Sequence, residues 1–492
     1  MAEKPYYTRD SSRDRHSRKA WPRTPKSGSH RGGQGFESPQ LHPVRTRPLP
    51  ALFPNVWPVG DLADHLTNHN VIVSTPSGAL ERRLGLGDAV VIGLGSMIGA
   101  GVFAAFAPAA KAAGAGLLIG LAVAAVVAYC NATSSARLAA LYPESGGTYV
   151  YGRRRLGDFW GYQAGWAFVV GKTASCAAMA LTFASYAAPA HTRAVGVLAV
   201  VALTAVNYFG VQRSAWLTRL IVAFTLLTLA VVVIACLAGG HASVHRLAPF
   251  PGSGVRGILQ AGGLLFFAFA GYARIATLGE EVRDPARTIP RAVTIALLIT
   301  LVVYAVVAVS ALMAVGPGGL AATTAPLRAA VDAGRLHAVA PLVQTGGAIA
   351  ALGSLLALIL GVSRTTLAMS RDGYLPTALA AVHPRYAVPH RAELAVGAVV
   401  VVLVATIDLR GAIGFSSFGV LAYYAIANAS AMTLTREEHR PPRWLPVLGL
   451  VGCVVLAVSL PLVSTLTGAG VLLLGALVFA GRRNVRAPRE TR

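Results

Sequence analysis

The sequence predicts an all-α polytopic membrane protein, and its composition and apolar segments carry that prediction. The 492 residues are 54% hydrophobic and only 13% charged, with a mean hydropathy of +0.58. Such values are typical of a chain that folds within a bilayer rather than of a soluble enzyme. A transmembrane helix needs about 20 largely apolar residues, and stretches of that length recur between residues 88 and 481.

Counting these stretches predicts about twelve transmembrane helices. The ninth is the shortest, and its ends are poorly marked by the sequence. The predicted spans are 88–108, 116–141, 158–188, 193–211, 217–239, 257–279, 291–315, 341–365, 391–407, 411–434, 445–462 and 465–481.

The net charge of +23 invites an assignment to nucleic acid binding, but its distribution favours a membrane. Arginines concentrate in every second connection, as at 153–155, while the intervening connections carry fewer. This positive-inside bias predicts a multi-pass protein of the cytoplasmic membrane (inner or plasma) with both termini in the cytoplasm. Anionic lipid headgroups, and not nucleic acid, are the expected partners of the charge.

Both ends of the chain differ from the apolar segments. The first fifty residues hold eleven Lys or Arg and four Asp or Glu, without an apolar period. We therefore expect residues 1–78 to form a basic disordered cytoplasmic tail, which either binds the inner leaflet or is dispensable. Residues 79–87 are predicted to be a short amphipathic lead-in, and residues 482–492 a basic cytoplasmic tail.

The first span contains the run GLGSMIGAGVF at 93–103, with glycines at 93, 95, 99 and 101. Glycine weakens a helix and leaves its main chain accessible. Irregular backbone at membrane depth is tolerated only where protein or a wet cavity surrounds it, which indicates a binding site. Close helix packing of the GxxxG type, through Gly95 and Gly99, is the alternative.

The sixth span repeats this pattern in the second half of the chain. LLFFAFAGY at 264–272 is apolar and contains a glycine, and GEEVRDPARTIPR follows at 279–291. Corresponding glycine-interrupted segments in two halves of a membrane protein are typical of inverted-repeat transporters with a site between them. The two spans together therefore favour a binding site over simple helix packing.

Four segments resemble one family, the amino acid–polyamine–organocation permeases, and within it the branch near the cationic amino acid transporters. They occur in the family's order between residues 85 and about 435. The segments are GSMIGAGVF in the first span, GGTYVY at 146–151, FFAFAGY with EEVRDPARTIPR in the sixth span, and AMSRDGYLP at 368–376.

The resemblance implies a leucine-transporter-like fold built from a 5+5 inverted repeat. The ten-helix transport core would cover residues 88–434, with repeats at about 88–239 and 257–434, and the first and sixth spans would be broken helices. Two peripheral helices would follow over residues 435–481, where the span composition is bland and uncharged between 445 and 481.

The two broken helices offer complementary ends to a zwitterion. Amides of a helix that restarts after Gly99, Ala100 and Gly101 suit a carboxylate, and free carbonyls where the sixth span is interrupted suit an ammonium. The aromatic residues Phe267, Phe269 and Tyr272 of the sixth span are candidate gates, and packing is the alternative role for each of them. The substrate-binding residues that the resemblance implies are Ser96, Ile98, Gly99, Ala100 and Gly101 in the first span, and Phe267, Ala268, Phe269, Ala270 and Tyr272 in the sixth.

Ionisable side chains at membrane depth are candidates for function. Acidic residues are expected only at span ends or in connections, as with Asp88 and Asp408, and every histidine in the tail or in connections. A buried acid or histidine relay is therefore not expected. Two cations remain: Lys172 within the third span and Arg274 just after the interruption of the sixth.

The sequence departs from its family at the usual coupling position. Many proton-coupled relatives carry a lysine in the fifth span, where alignment places Thr225 here, and an acid or asparagine where Ala273 stands. Lys172 is therefore our coupling candidate, since burial favours the neutral form of an ammonium group; a carbonyl-bonded structural lysine is the alternative. Arg274 is expected either to pair with Glu281 as a gate contact or to attract an anionic substrate group.

These observations predict a secondary active amino acid permease working by alternating access, either proton-coupled or an exchanger. A polyamine or organic cation permease and a non-transporting nutrient sensor are the alternatives. A membrane-embedded enzyme would need paired carboxylates, a nucleophile or a metal cluster at membrane depth, and the sequence offers none. No catalytic residue, metal or cofactor is predicted, and the four cysteines have no metal-ligand spacing.

Overall fold

The computed structural model describes most of the chain from residue 84 onward. The predicted tail 1–78, the first part of the lead-in 79–87 and the final residues 487–492 lie outside the described residues. The described ranges are 84–144, 146–210, 215–248, 254–278 and 281–486.

The described part of the chain is helical and contains no β-strand; Leu84 and Val282 form one isolated bridge. The α-helices are α1 Leu86–Met97, α2 Ala100–Ala104, α3 Phe106–Ala113, α4 Leu117–Leu141, α5 Thr148–Leu156, α6 Asp158–Ala187, α7 Thr192–Tyr208, α8 Ala215–Ala238, α9 Gly254–Phe269, α10 Ala273–Ala276, α11 Pro285–Ala321, α12 Pro326–Asp332, α13 Ala340–Arg371, α14 His390–Thr406, α15 Leu409–Met432, α16 Trp444–Ser459 and α17 Leu462–Arg486.

Ten helical segments in the described ranges are long and apolar enough to cross a membrane. They lie at ten of the twelve predicted spans, which confirms an all-helical, multi-pass membrane protein. The ninth and eleventh predicted spans form α14 and α16, which have only 17 and 16 residues. The count of twelve crossings therefore stays a prediction.

Burial separates central helices from peripheral ones. Of the apolar stretch in each helix, 72% is buried in α6, 78% in the segment that begins with α9 and 78% in α15. In α17 only 17% is buried. The position of α17 outside the transport core stays a prediction, because the segment containing α7, inside the predicted core, is also only 22% buried. The predicted core thus centres on helices that have little access to lipid.

The end of the bundle that is predicted to be cytoplasmic is crossed by polar contacts. Arg153 pairs with Asp372 at 2.8 Å, and the Tyr149 hydroxyl donates to the same carboxylate. Burial and this neighbouring carboxylate raise the pKa of Tyr149. Arg155 pairs with Glu438, and the hydrogen bond from that guanidinium holds the pKa of the Glu438 carboxyl below its usual range.

Candidate functional site

The first predicted span is interrupted among its glycines, but its helix restarts at Ala100 and not after Gly101 as expected. Helix α1 ends at Met97; Ile98 (φ −83°, ψ 64°) and Gly99 (φ −125°, ψ −135°) are not helical. The chain becomes helical again at Ala100 and continues through the helical Ala105 into α3. The first amides after the break therefore lack acceptors within their own helix.

Small residues allow the interrupted segment to lie against the sixth span, main chain to main chain. A Cβ added to Gly101 would lie 2.6 Å from the Cα of Ala268. A Cβ on Gly271 would likewise collide with the carbonyl of Ser96 and lie 2.6 Å from the nitrogen of Met97. Both glycines therefore serve close helix approach, and the formation of a binding site by this pattern stays a prediction.

The interruption of the sixth span is milder than the sequence predicts. Helix α9 ends at Phe269, and residues 270–272 form a 3₁₀ turn before α10. The dihedral angles of Phe269 (−79°, −22°) and Tyr272 (−62°, −22°) remain helical. Gly271 provides room for the first span, and the backbone tightens there without unwinding.

A tyrosine from α11 reaches the carbonyls at both interruptions. The hydroxyl oxygen of Tyr304 lies 2.5 Å from the carbonyl oxygen of Met97 and 3.1 Å from that of Ala268. Tyr304 is buried. Its hydroxyl therefore supplies a hydrogen-bond donor to carbonyls that solvent does not reach. This side chain holds the end of α1 beside α9, and sequence reasoning did not identify it.

Lys172 reaches the sixth span from α6. Its ammonium donates to the carbonyl of Ala270 at 3.3 Å, and the Tyr424 hydroxyl donates to the same oxygen at 3.4 Å. Lys172 is only 8% exposed, so the described structure places a cationic group beside a carbonyl that the resemblance assigns to the substrate amine.

The aromatic gate candidates are packed inside the protein in this conformation. Tyr272 stacks on Tyr424 with 4.9 Å between ring centroids, and Phe269 lies 5.2 Å from Tyr304. Phe267 is 8% exposed, whereas Phe269 and Tyr272 are fully buried. Any gating movement of these rings would have to break the contacts described here.

Ser354 of α13 is a site residue that the sequence did not reveal. A Cβ on Gly99 would collide with its hydroxyl, so this oxygen lies directly against the break in the first span. The hydroxyl is buried and has no hydrogen-bond partner among the described residues. A free donor beside the first break is chemically suited to a carboxylate oxygen.

A buried polar cluster lies behind Tyr272. The Asn428 amide donates to the Asn131 side-chain oxygen at 2.6 Å, and the Cys453 thiol lies 3.3 Å from the same oxygen. The hydroxyl of Tyr272 faces the Asn131 and Tyr424 side chains. Sequence reasoning overlooked the two asparagines because neither is charged, although both are fully buried.

Tyr186 contacts the first span beyond its break, on the side away from α1. Its hydroxyl donates to the carbonyl of Phe103 at 2.9 Å and accepts from the amide of Leu327, at the start of α12, at 3.4 Å. The ring also packs edge-on against Phe103 at 5.5 Å. One side chain thus joins α6, α2 and the short helix α12 at this end.

Arg274 is not ion-paired with Glu281 in the described part of the chain. Its guanidinium lies 3.4 Å from the Thr277 hydroxyl and interacts with Glu281 and Arg364 only at longer range. Arg274 and Arg364 are both exposed. The second expectation, attraction of an anionic substrate group, stays a prediction.

The expectation that no acid lies buried in a predicted span is wrong. Glu393, in the first turn of α14, is 0% exposed. It was overlooked because it stands two residues inside a short predicted span beside His390 and Arg391. His390 also belongs to α14 and not to a connection, and its Nδ1 is buried.

Thr225 and the cysteines behave as ordinary packing residues. The Thr225 hydroxyl donates to the Ile221 carbonyl within its own helix at 2.7 Å. All four cysteines are buried and free. Within the described ranges, no group of three or more His, Cys, Asp or Glu side chains is placed to hold a metal ion.

Comparison with known proteins identifies the family. A family model for amino acid permeases matches residues 88–478, most of the chain. The chain belongs to the amino acid permease family. Members of this family are transporters, so the permease is a membrane transporter and not an enzyme.

Several relatives of the permease cover most of its length. An uncharacterized transporter of Mycobacterium tuberculosis is 68% identical over 413 residues, 84% of this chain and 94% of the relative. The branched-chain amino acid permease of Bacillus subtilis is 26% identical over 83% of this chain and 95% of its own. Human cationic amino acid transporter 4 is 28% identical over 75% of this chain and 62% of its own length. The resemblance stated from the motifs is thereby confirmed.

Proposed function

We propose that this permease carries amino acids by alternating access, as a secondary active transporter that is either proton-coupled or an exchanger. The observation that carries the proposal is the buried break at Ile98 and Gly99, where Gly99 lies against Ser354 of α13 and Gly101, just after the break, lies against α9. Two relatives whose names specify amino acids, one branched-chain and one cationic, support this substrate class.

The carboxylate of the substrate would bind at the first break. The amides of Ala100 and Gly101 begin the helix that follows the break, and the free Ser354 hydroxyl lies against Gly99. A helix start attracts an anion through its amides and its dipole. Ser96, Ile98 and these residues would form the carboxylate half of the site.

The substrate amine would bind at the carbonyls of Ala268 and Ala270, with Phe267, Phe269 and Tyr272 surrounding it. In the present conformation, Tyr304 and Lys172 donate to those two carbonyls. Loading would therefore replace donors supplied by the protein with the ammonium of the substrate. Such an exchange keeps the carbonyls satisfied in both states, which a buried site requires.

Lys172 is our proposed coupling residue, and Arg274 with Glu281 our proposed gate or anion contact. The permease would lie in the cytoplasmic membrane with both termini inside, its basic connections facing anionic lipids. Ten helices in a 5+5 inverted repeat, followed by α16 and α17, would give twelve crossings. The proximity of the first and sixth spans supports this arrangement.

Uptake by the purified protein in proteoliposomes tests the proposal. We expect one or more members of a radiolabelled panel of neutral, cationic and anionic amino acids to be accumulated under a pH gradient, or exchanged against internal substrate. Labelled polyamines form a second panel. Uptake of polyamines alone would contradict the amino acid assignment, and no transport with demonstrated amino acid binding would indicate a sensor.

A further inference from the structure

Glu393 is an acid whose surroundings differ from those of any other carboxylate in the described ranges. Its side chain is fully buried, and neither carboxylate oxygen has a hydrogen-bond partner among the described residues. Buried carboxylates are normally paired or hydrogen-bonded, because an isolated charge is very unfavourable away from water. The described structure therefore contains a buried acid without the groups needed to hold it in its charged form.

The position of Glu393 follows from the antiparallel register of α14 and α7. The rings of His390 and Tyr208 lie 6.1 Å apart at one end of this pair of helices. Two turns further along α14, a Cβ on Gly397 would lie 2.7 Å from the Thr204 hydroxyl. Glu393 lies between these two levels and one turn from Gly397, so it is placed in the contact between the helices.

Other polar atoms in this contact are also unsatisfied. The Thr204 hydroxyl and His390 Nδ1 are buried and have no partner in the part of the chain that the structure describes. Unpaired buried polar groups are rare and require an explanation. Three of them within two turns of one helix pair indicate a place where protons or water move.

One positive side chain acts on Glu393 from a neighbouring helix. Arg364 of α13 attracts it electrostatically without forming an ion pair. The α6 lysine is bonded elsewhere, to Ala270, and the turn at 377–380 carries no titratable group. Apart from Arg364, the titratable or charged groups at this end of α14 are His390 and Arg391 of α14 itself, with Tyr208 of α7 and His383 packed against the His390 ring.

We propose that Glu393 is a proton-binding site, protonated in the conformation described here and ionised in a conformation in which Arg364 pairs with it. On ionisation the carboxyl O–H bond breaks, the electron pair stays on the carboxylate, and the proton passes to water. Arg364 is exposed, so it would link the buried acid to an accessible surface.

This proposal extends the proposed function, because it names a proton as the coupled species and adds a second binding site for it besides Lys172. Glu393 lies on the α7 side of α14, whereas Lys172 contacts the sixth span. Proton release at Glu393 would favour the conformation with the Arg364 pair, and proton binding would favour the present one. Such a differential preference is what a coupling ion requires.

Infrared difference spectroscopy of the purified permease tests the site without requiring transport. Titration of wild type should produce a carboxylic C=O band, shifted in deuterated water, that Glu393→Gln lacks and Glu393→Asp displaces. Asp332→Asn is the matched control, since that acid is exposed and pairs with Arg328 at 3.3 Å. Identical carboxyl bands in wild type and Glu393→Gln would overturn the proposal.

Proteoliposomes test the coupling. One coupled proton supports about a tenfold substrate accumulation per pH unit of gradient. We expect Glu393→Gln to lose that accumulation but to retain exchange, with Glu393→Asp intermediate. Full accumulation by Glu393→Gln overturns this proposal and leaves the proposed function intact. If wild type transports no amino acid, the proposed function fails, and the infrared experiment still decides whether Glu393 binds a proton.

Discussion

The Lys172 ammonium donates a hydrogen bond to the carbonyl oxygen of Ala270 over 3.3 Å, in the tightened turn that follows α9. The amine of an amino acid is the same chemical group, and it would use the same kind of acceptor. Under the proposed function, a lysine at this position would compete with the substrate amine when charged and bind the carbonyl less strongly once it loses its proton. The hydrogen bond would then link protonation to substrate binding.

Replacing Lys172 with alanine should separate coupling from binding. We expect Lys172→Ala to lose accumulation driven by a pH gradient and to retain exchange, because exchange needs binding but no net proton movement. Proteoliposome uptake, with and without a pH gradient, measures both activities. Lys111→Ala is the control, since Lys111 is an exposed lysine at the end of α3. Undiminished pH-driven accumulation by Lys172→Ala would leave this lysine a structural role only.

Removing the hydroxyl of Tyr304 should weaken the junction between the two interrupted spans. Tyr304→Phe keeps the ring contact with Phe269 but removes the donor that lies near the carbonyls of Met97 and Ala268. We expect a loss of about 1–2 kcal/mol in stability and slower uptake. Thermal unfolding in detergent and initial uptake rates measure the effect. Tyr129→Phe, at a ring that is 44% exposed, should change neither quantity.

Adding one methyl group at Gly101 should block the approach of the first span to α9. Its Cβ would lie 2.6 Å from the Cα of Ala268, a main-chain atom that has no rotamer in which to move away. Overpacking of this kind costs about 1–3 kcal/mol, and we expect Gly101→Ala and Gly101→Leu to abolish uptake while still inserting. Measuring substrate binding to the purified variants distinguishes loss of the binding site from loss of folded protein.

A glycine in open space provides the comparison for that experiment. Gly361 lies within α13, and a Cβ there would meet nothing within 4 Å. Gly361→Ala should therefore preserve uptake and raise stability by about 0.5–1 kcal/mol, as helix propensity predicts. If Gly101→Ala transports as well as Gly361→Ala, the close backbone contact is not required for the site.

Helix positions were predictable from the sequence because each span needs a long apolar stretch, and such stretches are easily recognised. The two spans that proved shortest, α14 and α16, show the limit of that argument, since 17 and 16 residues do not establish a crossing by length. The break at Gly99 was also predictable, because four glycines in eleven residues cannot form an ordinary membrane helix.

Side-chain partnerships were not predictable in the same way. Ser354 touches Gly99 across more than 250 positions of the sequence, and Tyr304 lies 207 residues from Met97. No local pattern marks a serine or tyrosine as a partner of a distant carbonyl. Glu393 was overlooked for a different reason: burial near the end of a short helix depends on which neighbours cover it, and sequence periodicity does not report them.

The ion pair between Arg155 and Glu438 predicts a pH-dependent contribution to stability. Hydrogen bonds from Arg155 and then from the Thr435 amide hold the pKa of Glu438 below the ordinary value of 4.5. A lowered folded-state pKa means that the carboxylate stabilises the folded protein above pH 4.5. That contribution disappears as pH falls through the lower folded-state value, where the native carboxylate takes up its proton.

Glu438→Gln should therefore unfold at a lower temperature than wild type at pH 7, and at the same temperature once the pH is below the folded-state pKa. Arg155 stays charged throughout that range, so the change reports the acid alone. Thermal unfolding of detergent-purified protein over a pH series measures the difference. Glu437→Gln replaces the exposed neighbouring acid and controls for loss of one negative charge. A wild-type advantage that persists unchanged in acid, or one that Glu437→Gln reproduces, would show that the Arg155 pair is not its source.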